Sequence, residues 1–438
     1  MISVRVFAMS GLHQPLSQAF QQRWRQYQQR FALATDNDFA APANDLALSI
    51  IIPCYDEPEV MNTLECLYRC DRPACAVEIL LIINASEADD EAVHRQNQKT
   101  YAEVSEWASL HNASDFNLHV LIISDVPTKH RGVGYARKLG FDLAVSRFAM
   151  ADQENGICLS LDADCLVEAN YLTAVFNHFT SHTSDSIAVI NFAHRVDEIS
   201  DEKHKQAMAA YECHLRYYVL GIRYAGLPYD YHTLGSCFAV TAQAYMAQGG
   251  MNKRQGGEDF YFIHKFTALN LCSRIDTTRV FPSARLSQRV PFGTGPTLSR
   301  WLEKEAGSFT SYHPQAFTDL RHLACWVEAL DGESDSFNID ALPDVMQTFL
   351  IGQGIDQRLA EIKENTASIV ALRVRFWRWF DAFLALKYIH FAHRDAYQRL
   401  PVIEALQKIV PECVGQFVDE EDLMALLLVL RAKDEEKT

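Results

Sequence analysis

Asp162 and Asp164 stand two residues apart in LSLDADC, where an apolar run gives way to acids. Side chains alternate along an extended chain, so carboxylates at i and i+2 point to one side while Ala163 points to the other. Two hard oxygen donors on one side suit Mg²⁺ or Mn²⁺, which leave further coordination positions to phosphate oxygens and water. Asp-x-Asp is common by chance, and a loop cap is the plainer reading. Its place at the end of a buried strand gives the pair weight. A second acidic pair, Glu258 and Asp259, follows Gly256 and Gly257. A carboxylate partly withdrawn from water at the mouth of a site has its pKa raised towards values useful to a general base. The same residues also describe a loop entering a helix, with acids favoured by the helix dipole. Further on, PSARLSQRVPFGTGP carries Arg285 and Arg289 among Gly and Pro turns. Such a loop can close over a diphosphate, with either arginine neutralising it, although a domain linker has the same composition. His313 is a candidate third metal ligand, weighed against the commoner structural use of a lone histidine.

These groups need elements to position them. LALSIII, VEILLII, LHVLIIS and ICLSLDA are short, near-continuous apolar runs, as strands are when helices cover both faces of a mostly parallel sheet. Helical patterns at Glu59–Cys70, Asp90–Leu110 and Val133–Arg147 lie between them. The alternation predicts a doubly wound α/β domain. Ligands in such a sheet bind beyond the carboxyl ends of the strands, where the strand order reverses. PCYDEP, NASEADD, SDVPTKHRG and DADC each follow one of the four runs, which gathers polar and acidic groups at one end. More sheet is expected at Ser186–Phe192 and Leu234–Val240, with a long amphipathic helix, about Asp201–Tyr224, between them. From Thr297 the pattern is helical almost throughout, with breaks near Asp331–Ser336, Gly352–Gly354 and Pro411. The expected division is an N-terminal helix and loop over residues 1–45, a catalytic domain over 46–296 and a helical accessory region over 297–438.

The 438 residues are 48% hydrophobic and 22% charged, enough for a full core and ordinary for a globular protein. A net charge of −16 argues against nucleic acid as a partner, since phosphate backbones recruit basic faces. Eleven cysteines cannot all pair with one another. Cys66, Cys70 and Cys75 lack an accompanying ligand cluster, and scattered buried thiols in a reducing cytosol are the better reading. MISVRVFAMSG shows no basic start and sustained apolar stretch, so no signal peptide is expected. No apolar run approaches the roughly 20 residues needed to span a bilayer. A cytoplasmic protein is expected, with peripheral membrane contact left open. Arg373–Asp395, dense in aromatic and basic residues, reads as a core helix rather than a membrane-surface one.

The order of segments resembles glycosyltransferase family 2, with its GT-A fold. LSIIIPCYDEPEVMNTLECL, KHRGVGYARKLGFDLAV, LDADCLVEANYL and GGMNKRQGGEDFYF are similar to four ordered motifs of that family, over about Leu46–Leu271. The resemblance implies a nucleotide-diphospho-sugar as donor. Pro53, Tyr55 and Glu57 would contact its nucleoside, and Arg137, with Lys129 or Arg131 as alternatives, would lie near the nucleotide or its phosphates. Asp162 would face the sugar or ribose, Asp164 would ligate the metal, and Asp259 would be the general base with Glu258 beside it. The chain departs from the pattern twice. Ile83, Asn84, Ala85 and Ser86 stand where the family usually has an acidic pair followed by Gly-Ser, so Asn84 becomes the donor-binding candidate there and the nucleobase stays open. Thr297 replaces the Gln of the Q-x-x-R-W signature that processive members carry before Arg300 and Trp301. A single-addition, inverting transfer to an acceptor hydroxyl on a glycan, lipid or small molecule is therefore expected. A sugar nucleotidyltransferase ranks lower, because PCYDEP is not the Gly-rich basic loop that chemistry needs. A non-catalytic nucleotide-sugar-binding protein would not require both acidic pairs. The helical region could serve acceptor recognition, oligomerisation or membrane contact.

Overall fold

The apolar runs become strands where their composition predicts. β1 (Leu46–Cys54) lies between β2 (Ala76–Ser86) and β4 (Ile157–Ser160), and β3 (Phe116–Val126) flanks β2, all parallel. Every residue of β2 is buried, the mark of a strand covered on both faces. Period-two alternation sorts β1: Ile50 and Ile52 face one core with α2 (Val60–Tyr68), α3 (Glu91–His111) and α5 (Tyr171–Ser181). Ile51 faces another with α1 (Gln18–Arg30) and α4 (Val133–Met150). The computed structural model describes residues 18–33, 37–286, 293–303, 309–330, 338–410 and 423–435.

The full sheet has eight strands in the order β3-β2-β1-β4-β7-β6-β8-β5. Here β7 (Phe238–Thr241) is antiparallel to both β4 and β6 (Ile187–Phe192), whereas β8 (Cys272–Phe281) is parallel to β6. β5 (Leu166–Val167) closes the edge against β8. The parallel order reverses between β1 and β4, so the crevice beyond their carboxyl ends is where a ligand fits. β8 was not among the expected strands. Its Ser273, Arg274, Asp276 and Thr277 interrupt the apolar run, and its burial is correspondingly mixed.

α6 (Glu202–Tyr224) connects this sheet to the C-terminal helices. Its Cys213, Tyr217 and Leu220 share one core with Phe317, Leu323, Leu406 and Leu427. A Cβ at Gly221 would stand 2.6 Å from the Phe317 ring, so the small residue lets α6 and α10 (Pro314–Glu328) approach closely. The junction is also charged. Glu212, fully buried, accepts from Arg216 Nη2 at 2.8 Å, from Arg431 Nε at 2.7 Å and from His194 Nδ1 at 2.9 Å. Burial would raise its pKa, but the Arg431 and His194 hydrogen bonds and the Arg216 charge hold it well below the usual carboxylate range. Arg216 also pairs with Asp434, so α16 (Leu423–Glu435) is docked by ion pairs as well as leucines.

The C-terminal region is helical as expected, through α9 (Thr294–Leu302), α10, α11 (Asp344–Gly352), α12 (Ile355–Glu364), α13 (Ile369–Trp379), α14 (Ala382–Asp395) and α15 (Val402–Ile409). The Gly352–Gly354 break separates α11 from α12, while the breaks expected at Asp331–Ser336 and Pro411 lie outside the described residues. Arg373–Asp395 forms two helices instead of one. They meet at Phe380, and Phe376, Phe380, Tyr388 and Ile389 enter the core. Among the described residues no helix is long and apolar enough to cross a membrane.

Candidate active site

The loop leaving β1 is tied down by α3. Asp56 takes positive φ, 48°, and its N–H donates to Asn97 Oδ1 at 3.0 Å. Thr100 Oγ1 donates to the Glu57 carbonyl at 3.2 Å, and Asn97 Nδ2 to the Asn84 carbonyl at 3.2 Å. The loop after β2 is held by Asp89. Its carboxylate accepts from Ser86 N–H at 2.7 Å and the Tyr55 hydroxyl at 2.9 Å, and pairs with Arg131 at 2.7 Å. Asp89, Asn97 and Thr100 were not singled out from the sequence. The acids of NASEADD drew notice only as a group, and polar residues on a mostly polar helix look like surface.

Arg137, in the second turn of α4, is buried and reaches two of the candidate acids. Nη2 donates to Asp162 Oδ1 at 2.6 Å, and Nη1 donates to Glu258 Oε1. Close loop packing sets this geometry. A Cβ at Gly134 would lie 2.1 Å from the Arg254 carbonyl oxygen, so the start of α4 rests on the chain leading into α8 (Glu258–Thr267). Gly132, at φ +136°, meets Gln255 in the same way. Gly235 opens a third approach: a Cβ there would stand 2.8 Å from Arg137 Nη2 and 2.9 Å from Asp259 Oδ2. Asp259 accepts from the Phe260 N–H at 2.7 Å. Its pKa is pushed up to about 7, first by burial and then by the Glu258 charge, with Arg137 opposing. Arg137 already bonds Asp162 and Glu258, which leaves Asp259 as the acid suited to take a proton.

On the other side, Arg285 follows β8 and joins the β1 loop to the Asp-x-Asp turn. It donates to Glu57 from Nη2 at 2.6 Å and Nη1 at 3.1 Å, and Nη2 lies 3.4 Å from Asp164 Oδ2. Arg289, the alternative, lies outside the described residues.

These groups open into one cleft of about 590 Å³. Pro53, Tyr55, Glu57 and Asn84 line it, as do Arg137, Asp162 and Asp164, and Glu258 and Asp259. Lys129 and Arg131 do not, which leaves Arg137 as the basic residue of that segment facing the cleft. Asn84 Oδ1, Arg137 Nε and Glu258 Oε2 are buried and have no hydrogen-bond partner among the described residues. Unmet polar atoms at a cleft suit a bound polar ligand. Asp162 and Asp164 keep 39% and 30% of their side chains exposed, open enough to meet a cation. Among the described residues no group of three His, Cys, Asp or Glu could hold a metal ion. The two exposed carboxylates fit Mg²⁺ or Mn²⁺ held by one or both of them, with phosphate oxygens and water completing the shell. His313 is a correction to the expected ligand set. Its Nδ1 caps α10 by accepting from the Gln315 N–H at 3.0 Å, its ring stacks on Tyr397, and it lines no part of the cleft.

Residues 49–246 match the family model "Glycosyl transferase family 2". No curated protein matches the chain. Among solved structures, TarS 1-349 of S. aureus in complex with UDP-GlcNAc is 14% identical, covering 89% of this chain and 91% of its own, at a TM-score of 0.39. The mannosyltransferase PcManGT from Pyrobaculum calidifontis in complex with GDP-Man and Mn²⁺ is 14% identical, covering 96% and 95%, at a TM-score of 0.35.

Proposed function

We propose that the chain, whose residues 49–246 match the glycosyl transferase family 2 model, is a metal-dependent, inverting, single-addition glycosyltransferase using a nucleotide-diphospho-sugar. The observation that carries this reading is the cluster at the β1/β4 crevice. Arg137 ties up Asp162 and Glu258, while Asp259 beside them has a pKa near neutrality.

In this reading Asp164, with Asp162, carries Mg²⁺ or Mn²⁺, which when bound supplies positive charge against the diphosphate. Asn84 Oδ1 accepts an N–H of the nucleobase, and Tyr55, fixed by Asp89, and Pro53 flank the nucleoside. Asp259 takes the proton of the acceptor hydroxyl as the new bond from that oxygen to the anomeric carbon forms. The bond from the anomeric carbon to the phosphate oxygen breaks in the same displacement, and its electron pair leaves on the nucleoside diphosphate. Arg285 bridges Glu57 and Asp164 at the diphosphate end and adds a further cation there.

The test is a panel of UDP-, GDP- and ADP-sugars with Mn²⁺, read by thermal stabilisation and slow donor hydrolysis. The expected result is that one donor gives both effects, and that chelation or Asp164→Ala removes both. Stabilisation by nucleoside triphosphates with no response to any nucleotide-sugar would replace this reading with a nucleotidyltransferase. Donor binding without hydrolysis or transfer would leave a non-catalytic binding protein.

A further inference from the structure

Beyond the carboxylates the cleft continues between α6 and the C-terminal helices, and the chemistry above makes no use of this second half. Its inner wall is one row of α6. Tyr211, His214 and Tyr218 recur at i, i+3 and i+7 and therefore stack along one side of the helix, next to the core face, against which Tyr211 and Tyr218 also pack. Tyr312 packs on this row and extends it, its ring centroid 5.3 Å from His214 and 6.2 Å from Tyr218. Leu386 of α14 lies beside it, and Phe260 joins this chamber to Asp259.

The described walls of the chamber carry no fixed charge. Among the described lining residues that α6 and the C-terminal helices contribute, none is Asp, Glu, Lys or Arg. His214 is held neutral because burial pushes its pKa down to about 4, and its Nδ1 is engaged with Ser311 Oγ at 2.7 Å. Arg399 lies 4.6 Å from the Tyr312 ring centroid but does not reach the lining. Neutral hydrogen-bonding groups remain. The Tyr218 hydroxyl has no hydrogen-bond partner among the described residues, and the Tyr312 hydroxyl lies 3.0 Å from His390 Nε2.

We propose that this aromatic chamber is the acceptor subsite and that it takes an uncharged sugar ring, a neutral glycoside whose free hydroxyl is presented to Asp259. The inference rests on the transferase reading and deepens it. Aromatic faces match the C–H face of a pyranose, and neutral hydroxyl and imidazole groups match its hydroxyls. A phosphorylated or carboxylated acceptor meets no cation among the described residues that α6 and the C-terminal helices give to these walls. An alkyl chain would leave the Tyr218 hydroxyl facing hydrocarbon without a partner.

The enzyme, with Mn²⁺ and the nucleotide-sugar it hydrolyses, is mixed with neutral acceptors: methyl glucosides, galactosides and mannosides, maltose and cellobiose. Glucose 6-phosphate and 1-octanol serve as charged and apolar comparisons, and release of nucleoside diphosphate is the readout. At least one neutral sugar is expected to speed release tenfold or more over water alone. Tyr218→Ala should raise the KM of that sugar at least tenfold, and Tyr218→Phe, which keeps the ring, by less. Donor affinity of both variants should stay within twofold of the parent, which reports an intact fold. Acceleration by glucose 6-phosphate or octanol alone overturns the inference. So does hydrolysis that no neutral sugar accelerates, or a sugar KM untouched by Tyr218→Ala. Failure of every nucleotide-sugar to bind or react would instead sink the transferase reading, and this inference with it.

Discussion

Asp259→Asn probes the proposed base through both stability and rate, because a carboxylate that resists charging also weighs on the fold. Its pKa moves from 3.8 to about 7, with burial and Glu258 as the chief causes. About three powers of ten in proton affinity correspond to about 4 kcal/mol. The side chain lines the open cleft, and solvent screening there reduces the figure to roughly 2 kcal/mol. Below about pH 4 the carboxyl is protonated in folded and unfolded chains alike, and the substitution has little effect on stability. Between about pH 4 and 7 the folded chain keeps a proton that the unfolded chain has lost, so wild-type stability falls as pH rises. Above about pH 7 the whole penalty is present, and Asp259→Asn removes it. The variant should then resist urea better than wild type by about 2 kcal/mol at pH 8, and equally at pH 4. Donor hydrolysis, with water as the acceptor, should fall by roughly 10²- to 10⁴-fold in the variant. In the wild type it should climb through about pH 6–7 and then level off. A stability difference that ignores pH, or a wild-type rate flat from about pH 5.5 to 8, would refute the assignment of Asp259 as a base with a raised pKa.

Three further outcomes follow from contacts around the site. Arg285→Ala removes a bidentate partner of Glu57 and the cation 3.4 Å from Asp164. It should lower stability by about 1–3 kcal/mol while reducing severalfold the Mn²⁺ needed for half-maximal donor stabilisation, as read by metal titration. Gly134→Ala forces a Cβ to within 2.1 Å of the Arg254 carbonyl oxygen. Separating the two backbones should destabilise by about 1–3 kcal/mol and weaken donor binding, seen by calorimetry. Arg431→Met removes two hydrogen bonds to buried Glu212. The loss should be about 2 kcal/mol in urea melts and should persist at high salt, because buried pairs are poorly screened.

The parallel half of the sheet was legible because β1 to β4 are near-continuous apolar runs that few other structures need. β8 was not, since Ser273, Arg274, Asp276 and Thr277 alternate with its apolar residues and give it the look of a loop. Asp162 and Asp164 stood out by their position after a strand, and Glu258 and Asp259 by the two glycines before them. The partners of the site's acids did not: Arg285 meets Glu57 across 228 residues of chain, and no local pattern signals such a pairing. His313 was misjudged because residue type alone cannot distinguish a helix cap from a ligand. The amphipathic character of α6 was visible, but the identity of the helices meeting its apolar face was not. The row of Tyr211, His214 and Tyr218 was a signal available in the sequence at helical spacing, and it passed unread.

The charged junction of α6 and α16 also has a consequence for the order in which the protein is made. Glu212 waits for Arg431, 219 residues later, and Arg216 waits for Asp434, 218 residues later. His232, in the cleft wall, lies 3.5 Å from that same Asp434. On the ribosome, α6 emerges with an acid destined for burial long before the helix that brings Arg431 and Asp434 to it. The junction of α6 with α16 is therefore completed last. A chain stalled short of residue 431 leaves Glu212 without Arg431 and Arg216 without Asp434, a feature by which chaperones and proteases tell unfinished protein from finished.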